Sequence, residues 1–161
     1  MKKRSLCVFV IVVVCCFGLM SCGKKTSTIE MPLVDAAFKA EITGVDAVLK
    51  LKPLQSAIYR IIVKNISTET WPAKGMSDGK FQINVGNHWL DKKNVPVIYD
   101  QTRMSLPHDI KPGESVQYSI EVKAPSIPGE YKLVFDMVQE TVAWFAGKGS
   151  SVLSYDVVIE K

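Results

Sequence analysis

From Ser115 to Lys123 the chain alternates without a break: Val116, Tyr118, Ile120 and Val122 are apolar, and Gln117, Ser119, Glu121 and Lys123 between them are polar. Strand side chains point to opposite faces in turn, so a period of two predicts a strand with one face buried and the other in water. On a helix the same residues would be scattered around the whole circumference. Pro112-Gly113-Glu114 supplies a turn before the segment, and Ala124-Pro125 stops it.

The same signature recurs along the chain. In Ala57 to Asn65, Tyr59, Ile61 and Val63 oppose Arg60 and Lys64; in Phe81 to Leu90, Phe81, Ile83, Val85, Asn87 and Trp89 oppose Gln82, Asn84 and His88. Leu153, Tyr155, Val157 and Ile159 close the chain in the same way. Shorter strands are predicted at Phe38 to Gly44, Val48 to Leu51 and Val95 to Tyr99. In Tyr131 to Val138 both faces turn apolar towards the end, which predicts a central strand partly covered on each side. No segment of comparable length carries a helical period. The expected fold is all-β, an immunoglobulin-like antiparallel β-sandwich of seven to nine strands. Two long connections interrupt it: Asn65 to Lys80, with Trp71-Pro72, and Gln139 to Ser151, with Trp144-Phe145 and Gly147-Lys148-Gly149.

The N-terminus obeys other rules. Lys2-Lys3-Arg4 precedes an apolar run from Leu6 to Phe17, followed by Gly18 and Leu19-Met20-Ser21-Cys22. Leu6 to Met20 is 15 residues, short of the roughly 20 that a spanning helix needs, so the segment reads as a cleavable leader. The tetrapeptide resembles the lipobox of bacterial lipoproteins. That resemblance implies cleavage before Cys22, diacylglycerol on its sulfur and usually an acyl chain on its amine, and two chains suffice for stable anchoring. The expected organisation is a signal peptide at 1–21, a lipidated cysteine and flexible tether at 22–34, and one domain at 35–161. Gly23 stands where enterobacterial sorting uses Asp to retain lipoproteins in the inner membrane, so the resemblance favours a lipid-anchored place in the cell envelope at the outer membrane.

Removal of the leader changes the chemistry of what is left. Cys7, Cys15 and Cys16 lie in the apolar run, so Cys22 alone survives and no internal disulfide is expected. Loss of Lys2, Lys3 and Arg4 takes 20 basic residues to 17 against 16 acidic, a net +1, which is no footprint for nucleic acid. Lys24 and Lys25 either touch anionic headgroups or are solvated tether charges.

A second resemblance rests on Asn65 with Trp71-Pro72, His88-Trp89, Arg103 with Leu106-Pro107, Pro112-Gly113-Glu114, Ala124-Pro125, Pro128-Gly129, Tyr131, Leu133, Glu140 and Trp144-Phe145. From about Ile61 to Phe145 the chain resembles the immunoglobulin-like accessory domain found beside bacterial glycosyltransferase and methyltransferase modules. It implies a sandwich and carries over no catalytic residue. Tyr131 matches the family's tyrosine and resembles a tyrosine corner, a structural role.

Candidate functional residues are few. There is no nucleophile elbow, HExxH, P-loop or dinucleotide fingerprint. No cofactor or metal is expected. Trp144, Trp71 and His88 are the candidate ligand contacts: the tryptophans and Trp89 either offer stacking faces to sugar rings or plug and fill the sandwich, and His88 is a ligand contact or an outward-facing strand residue. Trp144, in a glycine-rich loop, is the strongest of the three. His108-Asp109 after Pro107 reads as a loop cap. Arg103 and Glu140 form either a structural ion pair or two solvated charges. The expected function is that of a non-enzymatic envelope lipoprotein, held to the membrane through Cys22, that binds a protein or glycan. A structural or assembly subunit of an envelope complex is the alternative, and a hydrolase depending on His88 comes third.

Overall fold

The computed structural model describes residues 23–161. The expected leader at 1–21 and the expected lipidation site at Cys22 lie outside the described residues. The strands are β1 (Ala40–Asp46), β2 (Lys50–Leu51), β3 (Ser56–Asn65), β4 (Ile83–Leu90), β5 (Pro96–Ile98), β6 (Arg103–Ser105), β7 (Ser115–Lys123), β8 (Gly129–Gln139), β9 (Ala143–Trp144) and β10 (Leu153–Ile159). Two of the ten, β2 and β9, are only two residues long. Among the described residues no helix is long and apolar enough to cross a membrane.

The strands form two sheets, a small one in the order β1-β3-β7 and a large one in the order β2-β10-β8-β4-β5, with β6 added to β4 and β9 to β8. All pairs between strands are antiparallel except β2 with β10. With β1, β3 and β7 as A, B and E, and β4, β8 and β10 as C, F and G, this is the strand order of an immunoglobulin-like sandwich. Tyr131, near the start of β8, donates from its hydroxyl to the Ile127 carbonyl at 2.9 Å, as a tyrosine corner does.

Period-two patterning is what faces the two sheets towards each other. Tyr59, Ile61 and Val63 of β3 and Tyr118, Ile120 and Val122 of β7 are buried against Ile83, Val85 and Trp89 of β4 and Leu133, Phe135 and Met137 of β8. Their polar neighbours on β7 stay in water. Trp89 donates its indole N–H to the Lys123 carbonyl at 3.0 Å, satisfying the polar edge of an otherwise buried ring.

Three expectations need correction. The strand expected from Phe81 starts at Ile83, because Phe81 takes a left-handed φ of 62°. The Gln82 side chain turns back to the loop there, accepting from Gly75 N at 2.7 Å and donating to the Ala73 carbonyl at 2.8 Å. Phe38, expected in the first strand, follows a short 3-10 turn (Asp35–Ala37) and is buried.

The third correction concerns the segment expected to be a flexible tether, which is docked from Lys24 to Leu33. Ile29 N and Ser27 O pair with Lys74 O and N at 2.8 and 3.0 Å, and Asp109 N donates to the Lys25 carbonyl at 2.9 Å. The Asp109 carboxylate accepts from Ser27 N at 2.7 Å and Ala73 N at 2.8 Å. Leu33 N donates to Gln139 Oε1 at 2.9 Å. The long Asn65 to Lys80 connection carries backbone groups that no neighbouring strand satisfies, and the N-terminal segment pairs with them.

Candidate functional site

The outer face of the large sheet is covered where β4 and β8 cross its middle, and the cover is built on a glycine. Gly86 of β4 lies opposite Asp136 of β8 and Arg103 of β6. A Cβ there would sit 2.5 Å from Arg103 Nη1, 2.9 Å from Trp144 Cη2 and 3.0 Å from the Thr102 carbonyl. Only glycine lets Arg103 and Trp144 lie flat against the strand.

Those two side chains stack on one another, with the Arg103 guanidinium carbon 4.2 Å from the centre of the Trp144 ring. Arg103 Nε donates to Glu140 Oε1 at 2.8 Å, and its Nη1 reaches Asp100 Oδ1 at 2.6 Å. Glu140 Oε1 also accepts from Asn84 Nδ2 at 2.7 Å, and Asn84 Oδ1 accepts from the Ser105 hydroxyl at 2.9 Å. The chain Ser105, Asn84, Glu140, Arg103 and Asp100 thus clamps β6 and the start of the β8–β9 turn onto β4.

His88 lies next along the same face. Its ring centre is 4.1 Å from that of Trp144, edge-on, and 4.6 Å from that of Tyr99, stacked. Its Nδ1–H donates to the Tyr99 carbonyl. A carbonyl can only accept, so the neutral ring carries its proton on Nδ1. Burial pushes the imidazole below its ordinary pKa; the bond to Tyr99 and the Asp100 carboxylate oppose that shift, and the Arg103 cation adds to it.

These groups border a cavity of about 540 Å³ lined by His88, Tyr99, Trp144, Val134, Lys132 and Asp136, among others. Asp136 is 2% exposed. Its carboxylate accepts from Met137 N at 2.7 Å and Ala146 N at 3.2 Å. Burial pushes the carboxyl up to about 6 against both of those bonds.

The structure therefore brings Trp144, His88, Arg103 and Glu140 together and leaves Trp71 out. Trp71 is wholly buried 5.4 Å from the Phe145 ring, with its indole N–H on the Ala37 carbonyl at 2.8 Å. It plugs the end of the sandwich and has no face for a ligand, which corrects its candidacy. His88 does face outward from the large sheet, as one of its two readings has it, but at 6% exposed it is not open to water: Tyr99 and Trp144 cover it. Trp144 belongs to β9 and pairs with Val138, so it sits on the sheet rather than in a free loop. Tyr99 and Asp136 complete the cavity. The signal for Asp136 was a lone carboxylate inside the apolar half of β8; nothing in the local pattern of Tyr99 set it apart.

A second cavity of about 590 Å³ lies at the end where the described chain begins, lined by Lys24, Lys25, His108, Asp109, Lys111 and Glu114, among others. His108 Nε2 stands 2.8 Å from Glu114 Oε1, which also accepts from Lys24 Nζ at 3.3 Å, while Glu114 Oε2 accepts from Lys111 N at 3.1 Å. Led by the His108 contact, these bonds hold the Glu114 carboxyl down at about 2. Among the described residues no group of three or more His, Cys, Asp or Glu side chains is placed to hold a metal ion.

No family model matches the chain, and no curated protein matches it in sequence. Among solved structures it is similar to a β-glucosidase from Listeria innocua, with a TM-score of 0.48 and 13% identity over 76% of this chain and 16% of that one. It is also similar to the CARDB domain of the PF1109 protein from Pyrococcus furiosus, with a TM-score of 0.45 and 15% identity over 76% of this chain and 86% of that one. The sporulation control protein Spo0M from Bacillus subtilis gives a TM-score of 0.42 and 12% identity over 76% and 49%. The chain spans about a sixth of the length of the β-glucosidase.

Proposed function

We propose that this protein is an envelope lipoprotein, anchored through acyl chains on Cys22, whose immunoglobulin-like domain binds a glycan without turning it over. The observation that carries the reading is the cavity beside Trp144. Its volume of about 540 Å³ lies in the range of small-ligand sites, roughly 300 to 1,000 Å³. One wall is aromatic, and Tyr99, 55% exposed, presents a ring suited to the apolar C–H side of a pyranose. Between the apolar side chains of Val134, Val152 and Leu90 the lining carries a few polar groups, Asp136, Lys132 and Ser154 among them. Lys132, Asp136, Trp144 and Ser154 stand on paired strands and Tyr99 directly follows β5, so a ligand meets a largely preorganised surface.

The anchor and the site are tested separately. Metabolic labelling with an alkyne-tagged fatty acid is expected to mark the wild-type protein and not Cys22→Ser; equal labelling of both removes the lipoprotein reading. A glycan array probed with the purified protein and with Tyr99→Ala tests the cleft. Binding lost in the variant, with its melting temperature kept, supports it. A blank array together with crosslinking of the protein to one envelope complex favours the assembly-subunit alternative.

A further inference from the structure

We infer that the group seated against Asp136 is a primary ammonium, as carried by an amine-bearing sugar. This rests on the cleft reading above and names the ligand class for the same site. A carboxylate is out of place on a covered sheet face without a cation beside it. Among the described residues no Lys, Arg or His side chain forms an ion pair with Asp136, and the basic groups around it are committed elsewhere. Lys132 of β8 donates to Asn94 Oδ1 at 3.0 Å, and Lys148, from the turn after β9, pairs with Asp35 at 2.8 Å. Arg103 of β6 is held by Glu140 and Asp100, and His88 of β4 gives its Nδ1 proton to Tyr99.

Only two backbone N–H groups meet the Asp136 carboxylate, which leaves lone pairs on both oxygens free to accept. The same cavity is walled by the rings of Tyr99 and Trp144. A buried carboxylate beside aromatic rings is the combination that recognises ammonium groups, by charge on one side and by ring quadrupoles on the other. If Asp136 served only to hold the turn at Ala146, an amide oxygen would do that work as well and a charge would not be needed.

Protonation supplies an internal check. With the Asp136 carboxyl pushed up to about 6, affinity for an ammonium ligand falls by up to about tenfold per unit below that pH, as protons compete for the carboxylate, and falls again at higher pH where the ligand's own ammonium loses its proton. His88, also facing the cavity, gains charge in acid and weakens binding in the same direction, so the variant lacking the Asp136 charge keeps only the His88 part of the slope.

The experiment is isothermal titration of the detergent-solubilised full chain with glucosamine tetrasaccharide and with its N-acetylated counterpart, at pH 7 and pH 5. The expected result is at least tenfold tighter binding of the free amine at pH 7, a preference lost in Asp136→Asn with the melting temperature not lowered, and weaker binding at pH 5. Equal affinity for the two sugars, unaffected by Asp136→Asn, overturns the ammonium assignment and leaves the cleft standing. Binding that survives Tyr99→Ala overturns both. If neither sugar binds, the assignment falls, and the glycan array decides the fate of the cleft.

Discussion

β7 in the small sheet and β4 in the large one are both strands of alternating sequence, and they end up in different surroundings. On β7 every second residue is solvated. On β4 all residues from Ile83 to Trp89 are buried, polar ones included. The polar face of β7 meets water, while that of β4 meets a second layer made of Arg103, Trp144 and Tyr99. Where a polar strand face is covered by charged and aromatic side chains instead of water, the sandwich acquires a cavity and a buried carboxylate. That layer is where this domain departs from a plain scaffold, and departures of this kind gather at functional sites.

The difference can be broken by filling the space under the layer. Gly86→Val is expected to destabilise the domain by about 3 kcal/mol, since the added side chain displaces Arg103 and Trp144; urea denaturation measures it, and a loss below about 1 kcal/mol means that the layer is soft.

The pH dependence of stability comes next. The folded Asp136 carboxyl holds its proton up to about 6 against an ordinary 3.8, so the folded state binds more protons in that window and stability falls as pH rises through it, by about 2 to 3 kcal/mol in all. Asp136→Asn removes this slope. Glu114 acts with the opposite sign: held down at about 2 against an ordinary 4.5, it stabilises the fold above pH 4.5 and that contribution is lost as pH falls towards 2. His88, shifted below 6.5 chiefly by burial, likewise makes the fold less stable as pH falls through 6.5. Melting temperatures of wild type and Asp136→Asn between pH 3 and 8 separate the three, and identical profiles would refute the assignment of the slope to Asp136.

Smaller still is the clamp. Glu140→Gln keeps an acceptor for Asn84 but removes the charge facing Arg103, and about 1 kcal/mol is expected to go, or roughly 2 to 4 °C in Tm. An unchanged Tm would make the pair incidental. The control on the other sheet is Ser119→Val, on the exposed face of β7, expected within about 0.5 kcal/mol of wild type. A large loss there would mean that the small sheet also has a covered face.

Much of the fold was legible because strand burial writes itself into alternation. The β7 and β3 faces fall as their patterns predict, and the apolar second half of β8 foretells a strand covered on both sides. The site was only half legible. Trp144, Arg103, Glu140 and His88 were each singled out, and of the two readings of Arg103 and Glu140 the ion pair is the one found, but nothing local says that Trp144 and His88 join them, or that Trp71 is sealed beneath the Ala37 carbonyl. The docking of residues 24–33 was hidden for a related reason: a polar segment without periodicity reads as free chain unless the loop that needs its hydrogen bonds is known.

The sequence by itself determined the all-β class, the positions of the long strands and the two inner faces, since these follow from side-chain direction along a single chain. It also sets the leader-like N-terminus and Cys22 apart from the rest. Only the tertiary structure decided which loops fold back onto the outer face of the large sheet, and so which rings and charges share a cavity. Those contacts join residues far apart in the chain, such as Gly86 with Arg103 and Trp144, and no pattern read along one strand records its partner across space.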